Sequence, residues 1–445
     1  MVRRTPSLAA LLAVLLLSAP SWAASDKARA RRSYEQALER YLRGDFKGAL
    51  EQTNASVSDD SGLAPAYALR ARLWRALDNP AESKRDADHV VSKLGGWSKM
   101  GEEELIAHGS ALVLRGQTEQ ALEKFSTALR LNPDSTEALA GRARAWRAAG
   151  VPEKAAQDIS AALKRTPRTP LYLYSRAAIF YDLGRYDAAI ADLTLALRGN
   201  KGFYPAYGLV GTVLAAKGDA RRALAAYSKA IQVNPQYAYA YIGRAALRLS
   251  QNLETEAFSD LDEGVRVGPR DYAAHYNRAE ARWRRGAKED ALADYRKTLN
   301  APNLELEYAL SVGDRFYQMT LWKEAAIAYS RAYDMAGSYL DRSAAASEAW
   351  LREPEGKDLA PARKPRSTVS PLGVTALLRR ARAWEALKDS KRAMEDLTEA
   401  IDRSPASGAA WSARGLLSLR LGKDKQALSD LNQAVKIDPR DSQAR

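Results

Sequence analysis

Small and large apolar positions recur along this chain with a fixed period of 34 residues. One column of the repeat is always alanine: Ala121, Ala155, Ala189, Ala223, Ala257, Ala291 and Ala325. Four positions later, one helical turn further on the same face, stands a large residue: Phe125, Ile159, Leu193, Tyr227, Leu261, Tyr295 and Tyr329. Small residues let two helices approach closely, and large residues fill the space beside them. The pattern predicts a helix face that is copied at every step.

The residues between these columns predict the turns and ends of each repeat. Five positions before the alanine column stand Gly116, Gly150, Gly184, Gly218, Asn252 and Gly286, residues that readily adopt left-handed backbone. A second small column precedes each turn: Gly109, Ala143, Ala177, Gly211, Ala245, Ala279 and Gly313. Several repeats close with a proline, at Pro133, Pro167, Pro235 and Pro269. Each repeat is therefore predicted to be a helix, a short turn and a second, antiparallel helix.

This pattern resembles the tetratricopeptide repeat, a 34-residue helix pair with small residues at the helix crossing. The segments 140–167 and 410–439 carry the resemblance most clearly. The resemblance implies an all-α fold, a right-handed superhelical solenoid of antiparallel helix pairs. The predicted organisation is a signal peptide over 1–23, a repeat array over 24–339, a degenerate repeat with a proline-rich basic loop over 340–373, two further repeats over 374–441 and a tail over 442–445.

Composition excludes many familiar kinds of active site. The chain has no cysteine, so disulfides, thiolate metal sites and cysteine nucleophiles are excluded. Its three histidines lie far apart in sequence, which disfavours a polyhistidine metal site or a serine–histidine relay. No phosphate-binding loop, nucleophile elbow, zinc-protease helix or EF-hand motif is found. We therefore predict no enzyme, no cofactor and no metal site.

The first 23 residues are typical of a secretory signal peptide. Two arginines precede an apolar stretch over 8–17, and 21–23 form a small-x-small end. Prolines bound the apolar stretch at roughly 13 residues, too short to span a bilayer. We predict cleavage after Ala23 and a periplasmic or secreted bacterial protein, with an uncleaved anchor as the alternative. The formal net charge of +14 would suit nucleic acid, but export makes an anionic surface or polymer the better expectation.

An arginine and an aspartate sixteen residues apart recur together in the repeats. The pairs are Arg70 and Asp86, Arg142 and Asp158, Arg176 and Asp192, Arg244 and Asp260, Arg278 and Asp294, Arg380 and Asp396, and Arg414 and Asp430. Repeats without the arginine also lack the aspartate, as with His108 and Lys124. Contact is the simplest cause, because a guanidinium can hold a carboxylate through two hydrogen bonds. We predict structural pairs, with an arginine ladder that binds a ligand as the alternative.

The resemblance implies that the first helices line an inner groove that binds extended peptides or partner helices. Placed in register, these helices predict a partner-binding surface of Arg144, Arg147, Tyr174, Tyr181, Tyr239, Tyr276, Asn277, Trp283, Arg284 and Tyr317. Aromatic and arginine side chains are favoured in binding hot spots. The alternative is that some of the tyrosines only pack between repeats. Asn277 alone fits an asparagine column, so the carboxylate clamp of better-known relatives is not expected here.

These features predict an exported, non-catalytic scaffold that binds a protein or peptide partner and helps assemble or operate a bacterial envelope complex. Groove-binding of an anionic polysaccharide during export is the alternative. Neither nucleic-acid binding nor a membrane span is predicted. Few residues follow the last repeat, which would leave Leu428, Leu431 and Val435 incompletely covered. Self-association through this uncapped repeat is a further prediction.

Overall fold

A computed structural model describes residues 8–97, 99–301, 304–350 and 371–439. Side chains are described for these residues except 8–24, 337–350 and 371. Within this part of the chain every regular element is a helix. In the same residues, no helix combines the length and apolarity that crossing a bilayer would need. The predicted all-α solenoid of helix pairs is confirmed.

The chain divides into two compact units, an N-terminal unit over Met1–Asn252 and a C-terminal unit over Leu253–Arg445. The helices of the N-terminal unit are α1 (Leu8–Arg43), α2 (Phe46–Asp59), α3 (Ala64–Ala76), α4 (Pro80–Leu94), α5 (Glu102–Leu114), α6 (Thr118–Leu131), α7 (Thr136–Ala148), α8 (Pro152–Arg165), α9 (Pro170–Asp182), α10 (Tyr186–Gly199), α11 (Tyr204–Ala216), α12 (Ala220–Val233) and α13 (Ala238–Ser250). Odd-numbered helices are the first helices of the repeats, and even-numbered helices are the second helices.

The helices of the C-terminal unit are α14 (Glu254–Val267), α15 (Tyr272–Arg284), α16 (Lys288–Leu299), α17 (Leu306–Gln318), α18 (Trp322–Trp350), α19 (Pro371–Ala386), α20 (Ser390–Arg403), α21 (Gly408–Arg420) and α22 (Asp424–Ile437). Helix α18 continues through residue 340, where the sequence predicts the start of a degenerate repeat. Position 337 holds glycine where other repeats have the closing proline. The predicted basic loop lies mostly in 351–370, outside the described residues.

The turns inside the helix pairs require left-handed backbone. All six positions of the predicted turn column have positive φ, from 60° at Asn252 to 86° at Gly286. Glycine adopts this conformation without a steric penalty, and asparagine tolerates it better than most residues. The residues of this sequence column therefore share one requirement, a left-handed backbone conformation at the turn between the two helices.

Packing between helices explains where the small column holds glycine rather than alanine. The buried ring of Tyr227 lies against Gly211, where a Cβ atom would come within 2.7 Å of the ring. Phe125 lies against Gly109 in the same way, with a corresponding distance of 2.9 Å. The rings of Tyr227 and Phe125 thus need glycine at the crossing, because interiors are close-packed. The buried ring of Tyr295, by contrast, belongs to a repeat whose small residue is Ala279.

The N-terminal unit closes on itself through its first helix. Helix α1 contacts both α3 and α9. The Asn200 side chain donates to the carbonyl oxygen of Arg43 at 2.8 Å, across 157 residues of sequence. The rings of Phe46 and Phe203 meet edge-on, with centroids 5.8 Å apart. Helix α3 contacts α5, and α5 contacts α7, so the first helices from α1 to α9 surround a common interior.

The predicted signal peptide falls partly on α1. This helix begins at Leu8 and continues without interruption past residue 23 to Arg43. Residues 1–7 lie outside the described residues. The leader and its cleavage site stay predictions.

Candidate functional site

The predicted arginine–aspartate pairs lie between the two helices of a repeat. In one of them, Arg142 Nε and Nη2 donate to Asp158 Oδ2 and Oδ1 at 2.7 and 2.8 Å. Two such bonds, between 2.6 and 2.9 Å, also join Arg70 to Asp86, Arg176 to Asp192, Arg278 to Asp294, Arg380 to Asp396 and Arg414 to Asp430. Arg244 belongs to the N-terminal unit and Asp260 to the C-terminal unit, and their pairing stays a prediction.

A further contact of these arginines was missed by the sequence analysis. In most repeats Nη1 donates to a polar side chain sixteen residues earlier, on the preceding second helix, as Arg244 does to Ser228 at 3.0 Å. The other acceptors are Asn54, Ser126, Ser160, Asp262 and Thr398, and Ser330 takes this place for Arg380. The signal in the sequence is a polar residue in phase with the arginine. Because these donors are used inside the array, the geometry favours the structural role over ligand binding.

Asp294 has two arginine partners within the described residues, where Asp158 has one. Asp294 accepts from Arg278 at 2.8 Å, from Arg282 at 2.8 Å, and lies 3.3 Å from His275 Nδ1. Burial alone would raise its pKa, but hydrogen bonds from His275 and Arg278 hold the pKa well below its usual range. Burial instead raises the pKa of Asp396, which has one arginine partner. The same sequence motif therefore produces pairs of unequal strength.

In the C-terminal unit the predicted surface residues are largely engaged by their neighbours. The Tyr276 ring lies 4.8 Å from that of Tyr308. Asn277 donates to the Ala273 carbonyl of its own helix at 2.8 Å, so its amide is used locally. Two cations flank Trp283, at 5.4 Å for Arg315 and 5.5 Å for Lys288. The remaining two members, Arg284 and Tyr317, are exposed.

Ion pairs between successive first helices were not predicted from sequence. Arg315 donates to both carboxylate oxygens of Glu280, at 2.9 and 2.7 Å, from 35 residues further on. Arg379 donates to Asp314 at 2.6 Å across the segment that includes 351–370. Arg420 pairs with Glu385 at the same spacing of 35. The sequence signal is an acidic residue followed 35 residues later by an arginine, one residue more than the repeat length. This spacing places the two groups on adjacent repeats.

Tyrosine hydroxyls of the second helices complete these ion pairs. Tyr295 donates to Glu280 at 2.7 Å, and Tyr329 donates to Asp314 at 2.8 Å. Burial would raise the pKa of Glu280, but hydrogen bonds from Arg315 and Tyr295 lower it. Glu280 is therefore held ionised by groups of the array itself.

In the N-terminal unit the predicted residues form an aromatic surface with a charged neighbour. Arg147 donates to Asp182 at 2.5 and 3.2 Å, which joins α7 to α9. The Tyr174 ring is half-buried, with its centroid 5.3 Å from that of Phe203. Tyr181 is half-buried beside Tyr186, at 5.9 Å between centroids. The surface combines apolar rings with a charge pair that is already balanced.

Tyr239 is the most exposed of these aromatic residues, with 44% of its surface accessible. Its ring stacks on that of Tyr237 at 5.6 Å, and its hydroxyl shares a hydrogen bond of 2.6 Å with Thr212 Oγ1. Burial raises the pKa of Tyr174 to about 12 and raises the pKa of Tyr239 as well. Both hydroxyls are therefore neutral near pH 7 and able to donate or accept hydrogen bonds.

Arg144 has a different environment from the other predicted residues. Its side chain is half-buried on α7, facing the interior of the N-terminal unit. It makes no hydrogen bond or ion pair with any residue that the structure describes. Arg72 of α3 lies close to it, and the sequence analysis did not identify Arg72.

The end of the last repeat has exposed apolar side chains. Leu428 is 65% exposed, while Leu431 and Val435 are half-buried. Residues 440–445 lie outside the described part of the chain. Self-association through this repeat stays a prediction. In the residues that the structure does describe, no cluster of three or more histidine, aspartate and glutamate side chains could hold a metal ion.

Comparison with known families agrees with the repeat pattern. Two family models, both described as tetratricopeptide repeat, match the chain, one over residues 112–179 and the other over residues 211–265, 255–304 and 378–442. Together they cover slightly more than half of the chain. No curated protein matches the sequence.

Several solved structures are similar to parts or most of the chain. A tetratricopeptide repeat protein from Parabacteroides merdae is 21% identical, with a TM-score of 0.42, over 55% of this chain and 98% of its own. The human IFIT1 dimer with PPP-AAAA is 17% identical, with a TM-score of 0.47, over 90% of this chain and 89% of its own. PilF of Pseudomonas aeruginosa is 19% identical, with a TM-score of 0.39, over 50% of this chain and 96% of its own. At these identities the similarity concerns the fold alone.

Proposed function

Because this chain belongs to the tetratricopeptide repeat family, we propose that it is a non-catalytic scaffold that binds an extended segment of a protein partner. Proteins of this family are typically scaffolds for protein–protein interaction. The proposed contact surface is the aromatic surface of the N-terminal unit, defined by Arg147, Tyr174, Tyr181 and Tyr239. Export of the chain and a role in a bacterial envelope complex rest on the predicted leader and belong to the proposal.

The exposure of Tyr239 is the observation that carries this proposal. A large ring that is 44% accessible loses contact with water when a partner covers it. Its position is fixed by the Tyr237 ring and by the Thr212 hydroxyl, so little side-chain entropy is lost on binding. Tyrosine hydroxyls can hydrogen-bond the free N–H and C=O groups of an extended peptide. Rigid aromatic side chains with polar tips are typical binding hot spots.

The test is capture of partners from the native envelope by the full chain, with chemical crosslinking. Tyr239→Ala should weaken binding of the captured partner about tenfold or more, as loss of a hot spot does. Leu195→Ala is the matched control, because Leu195 is 46% exposed on a second helix of the same unit. Equal capture by Tyr239→Ala and the unaltered chain, or equal loss in both variants, would contradict the proposed surface.

Ionic strength separates the peptide from an anionic polysaccharide, which stays the alternative prediction for the same surface. Binding that depends on charge should weaken steeply between low and high salt, whereas contact with aromatic rings should largely persist. A partner that is released by salt and unaffected by Tyr239→Ala would favour the polymer.

A further inference from the structure

One repeat of the N-terminal unit has a histidine and a lysine in place of the arginine–aspartate pair. His108 of α5 occupies the arginine position, and Lys124 of α6, sixteen residues later, occupies the aspartate position. In six other repeats the side chains at these two positions meet at 2.6 to 2.9 Å. Because α5 packs on α6 in the same way, the register directs His108 and Lys124 to one helix crossing.

The environment of His108 suits a neutral ring and not a charged one. His108 is 6% exposed, and its Nδ1 atom has no hydrogen-bond partner within the described residues. Both nitrogens of a protonated imidazole are hydrogen-bond donors. A buried charge whose donors are not satisfied is costly. Protonation of His108 in the folded chain is therefore penalised.

Charged groups on α6 increase this penalty. Lys124 pairs at 3.5 Å with Glu123, an exposed carboxylate. Burial, followed by the charge of Lys124, lowers the pKa of His108, and the charge of Glu123 opposes this only in part. His108 is thus neutral near pH 7 and gains its charge at a lower pH than an ordinary histidine does.

The carboxylates on α5 and on its neighbours α3, α4 and α7 are engaged elsewhere or act with the opposite sign. Glu104 stands one helical turn before His108, but its Oε2 atom turns back and would lie 2.8 Å from a Cβ atom at Gly101. Burial raises the pKa of Glu137 on α7, so acidification removes a buried charge there and is favourable. The charged groups already paired are Arg70 with Asp86, Asp88 with Arg115, and Arg142 with Asp158.

We propose that the helix pair of α5 and α6 is an acid-sensitive element of the N-terminal unit, which opens when buried His108 is protonated beside Lys124. An arginine–aspartate pair keeps opposite charges in mild acid, whereas His108 and Lys124 become two cations. The stability that the neutral ring contributes is present above pH 6.5, its ordinary pKa, and is lost as the pH falls through the lowered pKa. This element is independent of the partner and of the aromatic surface proposed above.

Hydrogen exchange of the full chain at about pH 7.5 and about pH 5.5 tests this element, because histidine is the side chain whose ordinary pKa lies in that range. Dividing each rate by the intrinsic rate removes the direct effect of pH. Protection of α5 and α6 should fall about threefold or more on acidification. Helices α9 and α10, which Arg176 and Asp192 join, should change less. An equal fall in both helix pairs, or no fall in α5 and α6, would overturn the proposal.

Single variants assign the effect, since the chain has three histidines. His108→Gln should abolish the fall in protection, because glutamine gains no charge. His89→Gln is the matched control and should keep the full fall, since His89 is exposed on α4, with its ring 4.2 Å from that of Tyr67. The proposal is wrong if the fall persists in His108→Gln or is also lost in His89→Gln.

A double variant provides a second test that restores a pair instead of removing a side chain. His108→Arg with Lys124→Asp places in this repeat the two residues that the other repeats use. Helices α5 and α6 should then be protected equally at both pH values, because the pair stays oppositely charged. If the double variant kept the fall of about threefold, protonation of His108 would not be its cause.

Discussion

The first helices of the two units use charged side chains in different ways. In the C-terminal unit, Glu280 with Arg315 and Asp314 with Arg379 form ion pairs between successive first helices. Within the described residues of the N-terminal unit, Arg147 and Asp182 form such a pair, whereas Arg144 forms no ion pair. One helix-pair module can therefore use its inward charges for cohesion between repeats, or leave an arginine without an ionic partner in the same unit.

Closure of the N-terminal unit accounts for the difference. Contact of α1 with α3 and α9 brings first helices of distant repeats around one interior. Groups on α3 and α7, which belong to different repeats, then face each other and Tyr41 of α1. Ion pairs that recur with the 34-residue period join side chains of the same repeat or of neighbouring repeats. They cannot supply partners for side chains that face each other across such an interior.

The largest expected effect concerns the buried aspartates of the two units. Asp294→Ala in the C-terminal unit would leave Arg278, Arg282 and His275 facing one another, and should lower the free energy of unfolding by about 3 to 5 kcal/mol. Asp158→Ala in the N-terminal unit should cost less, because Asp158 has one arginine partner and its side chain is 11% exposed against 1% for Asp294. Urea unfolding with hydrogen exchange of the affected helices measures both.

Double variants sharpen this result. Arg142→Val together with Asp158→Ala should recover most of the stability lost in Asp158→Ala, since no unpaired charge remains. Arg278→Val with Asp294→Ala should recover less, because Arg282 and His275 remain. If the two double variants recovered the same free energy of unfolding, the prediction that Asp294 is held more strongly than Asp158 would be wrong.

Closure of the N-terminal unit can be weakened at Gly44. This residue has a φ of 83°, and a Cβ atom would lie 2.6 Å from the Phe203 ring. Gly184 has a φ of 69° and nothing within 4 Å of the same atom. Both alanine variants incur the left-handed penalty of about 1 to 2 kcal/mol, but Gly44→Ala also disturbs the closure. It should be less stable than Gly184→Ala by about 1 kcal/mol or more, as measured by urea unfolding.

The matched readout for closure is hydrogen exchange at α1 and α11. Faster exchange there in Gly44→Ala, and not in Gly184→Ala, is expected when α1 separates from the body of the unit. Equal exchange in the two variants would show that the Phe203 contact does not hold the unit closed.

The smallest expected effect is an opposite pH dependence of two glutamates. Hydrogen bonds lower the pKa of Glu280 below 4.5 despite its burial, so its contribution to stability is present above about pH 4.5 and lost as the pH falls through the lowered pKa. Burial raises the pKa of Glu137, so its contribution is present below pH 4.5 and lost as the pH rises through the raised pKa.

Glutamine variants of these residues measure the two signs. At pH 7, Glu280→Gln should lower the free energy of unfolding by roughly 1 kcal/mol, and the loss should shrink toward pH 3.5. Glu137→Gln should lower it less or raise it at pH 7. If both variants changed the free energy of unfolding in the same direction and with the same pH trend, the predicted difference between Glu280 and Glu137 would be wrong.

Several parts of the site could be predicted from the sequence because they repeat. The arginine and aspartate columns are in phase, and the structure places six of those pairs in contact. The predicted aromatic residues lie on first helices, but Asn277 and Trp283 are engaged by their own neighbours. Periodicity identifies the face of a helix, and it does not show how much of that face neighbouring side chains have already covered.

The sequence by itself determined the helix pair, its left-handed turns and the tetratricopeptide family, because each of these depends on residues within one 34-residue period or the next. Only the tertiary structure decided that Gly44 packs on Phe203 and that Asn200 donates to the carbonyl oxygen of Arg43. These contacts join residues several repeats apart. They depend on the curvature that accumulates over many helix crossings, which no local pattern of hydrophobic and polar positions encodes.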